Sequence, residues 1–130
     1  MQLRSSLRSF LVLLALLIAT SAFADRRAGE KVDVKWNGFW YMATVLEWKD
    51  GKAKVHYDEW AASWDEWVGP DRMRDFKPYA KGEKIDVEWK GKYWPASILE
   101  VQGNRYKIHY DNYGSEWDEA VSVKRIRRAR

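Results

Sequence analysis

His56-Tyr57-Asp58-Glu59-Trp60-Ala61-Ala62-Ser63-Trp64-Asp65-Glu66-Trp67-Val68 is written a second time as His109-Tyr110-Asp111-Asn112-Tyr113-Gly114-Ser115-Glu116-Trp117-Asp118-Glu119-Ala120-Val121. Outward from this stretch the duplication holds without a gap. Gly29-Glu30-Lys31 falls on Gly82-Glu83-Lys84, Trp36 on Trp89, Leu46-Glu47 on Leu99-Glu100, and Arg72 and Arg74 on Arg125 and Arg127. A repeat of roughly fifty residues is the size of a supersecondary module or a minimal domain. Both copies should therefore share every strand and turn.

Within a copy the period is two. Val32, Val34 and Trp36 alternate with Lys31, Asp33 and Lys35, as Ile85, Val87 and Trp89 do in the second copy. That pattern marks a strand with one buried face. Asn37-Gly38 and Lys90-Gly91 then supply tight hairpin turns. Long strands rich in β-formers follow, about Trp40 to Trp48 and Tyr93 to Val101. Pro95 lacks an N–H, which predicts an edge or a bulge at that point. Asp50-Gly51 and Gly103-Asn104 turn the chain into Lys52–Tyr57 and Arg105–Tyr110. A short strand, Trp64 to Val68, comes next. Gly69-Pro70-Asp71 then leads to one helical turn through Arg72-Met73-Arg74. Short strands without sustained helical periodicity predict small all-β barrels. The connecting Asp75-Phe76-Lys77-Pro78-Tyr79-Ala80-Lys81 reads as a semi-rigid, partly packed spacer.

Length and composition bound the rest. The chain has 130 residues, no cysteine, nine Trp and a formal charge of +4. Residues 1–24 read as an export signal: Arg4 and Arg8 are basic, Phe10 to Ala19 is an apolar run, and Ala22-Phe23-Ala24 fits the small-x-small cleavage site. The apolar run is shorter than the ~20 residues of a spanning helix. Cleavage after Ala24 is expected, giving an exported, periplasmic or secreted protein with no stable membrane span. It would remove two positive charges and leave a nearly balanced chain. The remaining basic excess gathers at Lys124, Arg125, Arg127, Arg128 and Arg130. This reads as a solvated tail, or as an anchor for nucleic acid or another acidic polymer.

Catalysis finds little support. There is no nucleophilic Cys, no Gly-x-Ser-x-Gly and no phosphate-cradling glycine loop. Asp65-Glu66 and Asp118-Glu119 are neighbours on strands and should point to opposite faces, whereas glycoside hydrolysis needs two carboxylates across one gap. His56 and His109 fall on the face assigned to solvent, and the spacing of two lone histidines makes no metal site. Neither a cofactor nor a metal is expected.

The aromatic residues carry the stronger signal. Tyr57 ends a strand, Trp60 sits in the loop and Trp64 opens the next strand. Tyr41 starts the long strand on the same side. Trp94, Tyr110, Tyr113 and Trp117 are the counterparts in the second copy. Such sets should gather at one mouth of each barrel. Rings around a gap hold an ammonium by cation–π attraction of about 0.5–2 kcal/mol per contact. Asp58, Glu59 and Glu66, with Asp111 and Glu119, would add a negative rim. The competing reading is that the rings are packing, as assigned here to Trp36, Trp89 and Trp67.

The run from His56 through Trp-Asp-Glu-Trp-Val, preceded by a Trp-x-Gly turn and the strand Ala43-Thr44-Val45-Leu46-Glu47, closely resembles the chromo-barrel, or Tudor-knot, module. This module is part of the Tudor-like group that includes plant Agenet domains. The resemblance covers about residues 29–75 and 82–128, with residues 76–81 between them. It implies five-stranded SH3-like barrels and, in many members, recognition of methylated lysine by an aromatic cage. The cage positions fall on Tyr41, Tyr57, Trp60 and Trp64, and on Trp94, Tyr110, Tyr113 and Trp117. Where members often carry Gly before the loop Trp, this chain has Glu59 and Asn112, and Ala120 replaces the second Trp of the motif. The best-known relatives read histone tails in the nucleus, a role that does not transfer to an exported chain. Structural scaffolding and ring stacking on carbohydrate or nucleic acid are the rival readings.

Overall fold

The computed structural model describes residues 25–129, so the expected export signal lies outside the described residues. The first module contains β1 (Lys31–Trp36), β2 (Phe39–Lys49), β3 (Lys52–Tyr57), β4 (Glu66–Val68) and β5 (Met73–Asp75). The second contains β6 (Lys84–Trp89), β7 (Lys92–Gln102), β8 (Arg105–Tyr110), β9 (Glu119–Ser122) and β10 (Ile126–Arg127). The sheets run β4-β3-β2-β1-β5 and β10-β6-β7-β8-β9, antiparallel at every pairing. Each is a small five-stranded, SH3-like barrel.

Local chemistry sets the turns. Asn37 and Gly38 have φ of 52° and 84°, and Lys90 and Gly91 have 50° and 80°. A two-residue turn with both φ positive matches the twist of its flanking strands. The long strands β2 and β7 each slip register once, between Val45 and Glu47 and between Ile98 and Glu100. The bulges leave Leu46 and Leu99 exposed and bend each strand so that it serves both sides of its barrel.

Pro95 is in neither of the expected places. It lies within the central strand β7, opposite Asp86. Its carbonyl accepts from the Asp111 N–H at 3.0 Å, so its main-chain polar groups face β8, whose pairing ends one residue away at Ala96–Tyr110. A missing N–H there breaks no ladder bond.

Three other expectations are corrected. Trp64 closes a 3-10 turn (Ala62–Trp64) rather than opening a strand, and β4 begins at Glu66. The helical turn after Gly69 is Pro70–Arg72, so Met73 and Arg74 belong to β5. Asp33, assigned to the solvent face, is 1% exposed because the second module covers it.

The modules meet along a seam. Beyond β10, Arg128 pairs with Trp40 of β2 through both main-chain hydrogen bonds, at 3.0 and 2.9 Å. Arg128 Nη1 donates to Asp33 Oδ2 at 3.0 Å, and Arg74 Nε donates to the same oxygen at 3.3 Å. The connecting segment is packed: Tyr79 is buried, with its ring 5.6 Å from Phe76 and 5.4 Å from Tyr106.

Candidate functional site

At the mouth of the first barrel, Trp36, Tyr41, Tyr57, Trp60 and Trp64 surround a hollow of about 210 Å³. In the second, Trp89, Trp94, Tyr110, Tyr113 and Trp117 surround one of about 180 Å³. Both far exceed the ~10–15 Å³ that a single water requires. The rings stand edge to face, Trp36–Trp64 at 6.1 Å, Trp60–Trp64 at 6.2 Å, Trp89–Trp117 at 6.0 Å and Trp94–Tyr113 at 6.1 Å between centroids. Edge-to-face pairs fix one another's orientation. Trp64 and Trp117 are 49% and 51% exposed, too open to serve only as core.

Sequence position explains the convergence. Tyr57 and Tyr110 are the last residues of β3 and β8. The chain then turns through Glu59 and Asn112, both at φ 65°, into a loop and a 3-10 turn that brings Trp64 or Trp117 back over the mouth. The left-handed conformation at these two positions is the one glycine adopts without strain.

All eight aromatic candidates, Tyr41, Tyr57, Trp60, Trp64, Trp94, Tyr110, Tyr113 and Trp117, line these two hollows. Trp36 and Trp89, assigned to the core, line them too. Each ends its strand beyond the last fully buried residue, so its ring passes the core and emerges at the mouth. Trp67 is also outside the core, 42% exposed on β4. Tyr93 and Arg127 of the second module complete the first hollow. Repeat symmetry gave no sign of them, because they arrive across the seam.

The acidic candidates do not form a free negative rim. Asp58 accepts from Lys31 Nζ at 2.5 Å and Thr44 Oγ1 at 2.7 Å, and Asp111 accepts from Lys84 at 3.3 Å and Ser97 at 3.1 Å. Glu66 and Glu119 serve as supports behind the rings. Each accepts a tyrosine hydroxyl, from Tyr57 at 2.7 Å and Tyr110 at 2.6 Å, and takes a two-pronged pair from Arg72 or Arg125. The arginine hydrogen bonds hold both carboxyls below their ordinary range. Burial, then the glutamate bond, pushes the two phenols far up, so they stay neutral. His56 and His109 are half-buried rather than on a solvent face, each 2.7 Å from Asp65 or Asp118.

The basic cluster is not a free tail. Arg125 pairs with Glu119, Arg127 with Asp86, and Arg128 with Asp33 and Glu83. Arg130 lies outside the described residues. Among the described residues no group of three or more His, Asp or Glu could hold a metal, and no helix is long and apolar enough to cross a membrane.

Residues 26–75 match the Tudor-knot family, described as the RNA binding activity-knot of a chromodomain, and residues 82–130 match the Agenet domain. The chain is a tandem Tudor-knot/Agenet protein. Such domains are typically non-enzymatic reader modules that bind methyl-lysine or proteins. Among solved structures, Arabidopsis thaliana AGDP1 AGD34 is similar at 19% identity, with 85% of each chain covered and a TM-score of 0.40. The ADCP1 tandem Agenet domain 3-4 is similar at 20% identity, covering 85% of this chain and 83% of that one, with a TM-score of 0.39. The four MBT repeats of Drosophila melanogaster Sfmbt, solved with the peptide RHR(me)KVLR, are similar at 14% identity, covering 80% of this chain and 38% of that one, with a TM-score of 0.34. No curated protein matches the chain.

Proposed function

We propose that this tandem Tudor-knot/Agenet protein is a non-enzymatic binding protein that takes a methylated lysine or another quaternary ammonium in its ring-lined hollows. The observation that carries the reading is the gathering of five large rings of each module around an open gap. A methylated ammonium is poorly hydrated, so it loses little on entering an apolar hollow, and each ring face adds about 0.5–2 kcal/mol. The leader pattern in residues 1–24 supports a site of action outside the cytoplasm, on a peptide or an envelope component carrying the methylated group.

The test is tryptophan fluorescence during titration with trimethyl-lysine and with lysine. Trimethyl-lysine should change the signal and lysine should not, and the change should vanish in the double variant Trp64→Ala/Trp117→Ala. An equal response to lysine, or no response at all, would overturn the reading. Mass spectrometry of the exported protein should find residues 1–24 missing; an intact leader would overturn the assigned location.

A further inference from the structure

The two hollows differ in charge. The second is built wholly from its own module and is lined by rings alone. The first borrows Tyr93 and Arg127 across the seam. Its partner in the repeat, Arg74, stacks on Trp40 at 4.0 Å and reaches Asp33, and it lines neither hollow. Because β10 runs on to pair Arg128 with Trp40, Arg127 is carried to the wall of the neighbouring barrel.

Its guanidinium is held firmly there. It lies 3.5 Å from the Phe39 ring centre and 3.7 Å from that of Tyr93. Nε donates to Asp86 Oδ2 at 3.3 Å, and Nη1 donates to the Tyr41 hydroxyl at 3.3 Å. Nη2 has no hydrogen-bond partner among the described residues. A second cation is close by: the Lys124 ammonium stands 5.4 Å from the centre of the Trp60 ring, one of the lining rings. Nearby carboxylates are engaged, Glu66 by Arg72 and Tyr57, and Glu59 by the Lys124 N–H at 3.3 Å.

A purely cationic ligand in the first hollow meets ring attraction together with repulsion from Lys124 and from Arg127, the latter reduced by the pairing of Arg127 with Asp86 at 3.3 Å. A ligand that also carries an acid turns that repulsion into attraction, because guanidinium–carboxylate hydrogen bonds are charge-assisted and strong. Resting on the reading that these hollows take methylated ammonium groups, we infer that the first hollow is specific for a zwitterionic methylammonium acid, a betaine. Its methylated end packs against Trp36, Trp60 and Trp64, and its carboxylate faces Arg127. The all-ring second hollow takes methylated cations without an acid.

The test uses the full chain in two variants, Trp117→Ala to leave the first hollow and Trp64→Ala to leave the second. Each is titrated with glycine betaine, γ-butyrobetaine, glycine betaine methyl ester and choline, followed by fluorescence and calorimetry. In Trp117→Ala the better of the two betaines should bind at least about tenfold tighter than choline or the ester, the effect of one added charge-assisted contact. In Trp64→Ala that order should reverse. Adding Arg127→Gln to Trp117→Ala should abolish the preference. The ester comparison decides the matter even where that variant loosens the seam. Equal binding of betaine, ester and choline in Trp117→Ala would overturn the inference while leaving the ring reading intact. Failure of every probe, trimethyl-lysine included, would remove both.

Discussion

Arg128 and Asp33 belong to different modules, and Nη1 of one lies 3.0 Å from Oδ2 of the other at the seam. Asp33 is 1% exposed and its Oδ1 has no hydrogen-bond partner among the described residues. Burial pushes its carboxyl up, opposed by Arg128 and Arg74. Removing one partner of a buried ion pair strands the other charge, at a cost of about 3–5 kcal/mol. Arg128→Met should fall at the lower end of that range, since Arg74 remains at 3.3 Å. Adding Asp33→Asn should recover part of the loss. Urea denaturation of the three variants measures both effects, and a loss under about 1 kcal/mol for Arg128→Met would show that the seam pair is not stabilising.

The supports behind the rings predict a pH dependence. Glu66 and Glu119 have lowered carboxyl pKa values, mainly through hydrogen bonds from Arg72 and Arg125. The unfolded chain therefore takes up protons at these sites before the folded one does. Their stabilisation is fully present above the ordinary value of 4.5 and is lost as pH falls through the lower folded values. Asp33, shifted upward, contributes in the opposite direction. Urea midpoints measured from about pH 6 down to pH 3 should fall, and Glu66→Gln/Glu119→Gln should flatten the slope. An unchanged slope in that variant would assign acid sensitivity to other groups.

Much of this was legible in the residues. The period-two alternation, the Asn37-Gly38 and Asp50-Gly51 turns and the unbroken repeat specify two barrels, because turn chemistry and burial pattern agree in both copies. The mouth rings were legible for the same reason: the spacing from Tyr57 through Trp60 to Trp64 is a strand end, a loop and a return. Trp36 was misread because alternation gives a side chain's face and not how far the core extends along the strand. Asp33 and Arg127 were misread because each is defined by the other module. A repeat pattern describes one unit and carries no information about which of its surfaces meet.

Trp36 itself gives a prediction. It is 44% exposed and lies edge-on to both Tyr41 and Trp64. In the Trp117→Ala background, Trp36→Ala should weaken betaine binding at the first hollow between about twofold and thirtyfold, the equivalent of one ring contact. A ring so exposed should cost far less stability than the ~3–5 kcal/mol of a buried Trp. Calorimetric titration and thermal melting of the same sample separate the two. Unchanged affinity would show that this ring does not contact the ligand.

Glu59 and Asn112 offer a matched pair at one backbone conformation, both at φ 65°. A left-handed residue costs about 1–2 kcal/mol, except that Asn visits this region readily. Against this, Gly gives the unfolded chain extra freedom worth about 0.5–1 kcal/mol. Glu59→Gly should therefore stabilise the protein by up to about 1.5 kcal/mol, while Asn112→Gly should be neutral or slightly destabilising. Urea midpoints of the two variants provide the comparison, and the reverse order would mean that the Glu59 contact with the Lys124 N–H at 3.3 Å outweighs the backbone strain.

Tyr79 tests the packing of the connecting segment. Its ring is 4% exposed, sits against Phe76 and Tyr106, and lies 4.2 Å from the Arg128 guanidinium, while its hydroxyl has no hydrogen-bond partner among the described residues. Burying an unpaired hydroxyl costs about 1–3 kcal/mol. Tyr79→Phe keeps every ring contact and removes that cost, so it should leave stability unchanged or raise it by about 1 kcal/mol. Tyr79→Ala should lose about 3 kcal/mol or more, as other large-to-small core changes do. The two substitutions share a position and differ only in the ring, so their separation in a urea titration measures what the ring contributes. A loss on Tyr79→Phe comparable to that on Tyr79→Ala would assign the stabilisation to the hydroxyl instead.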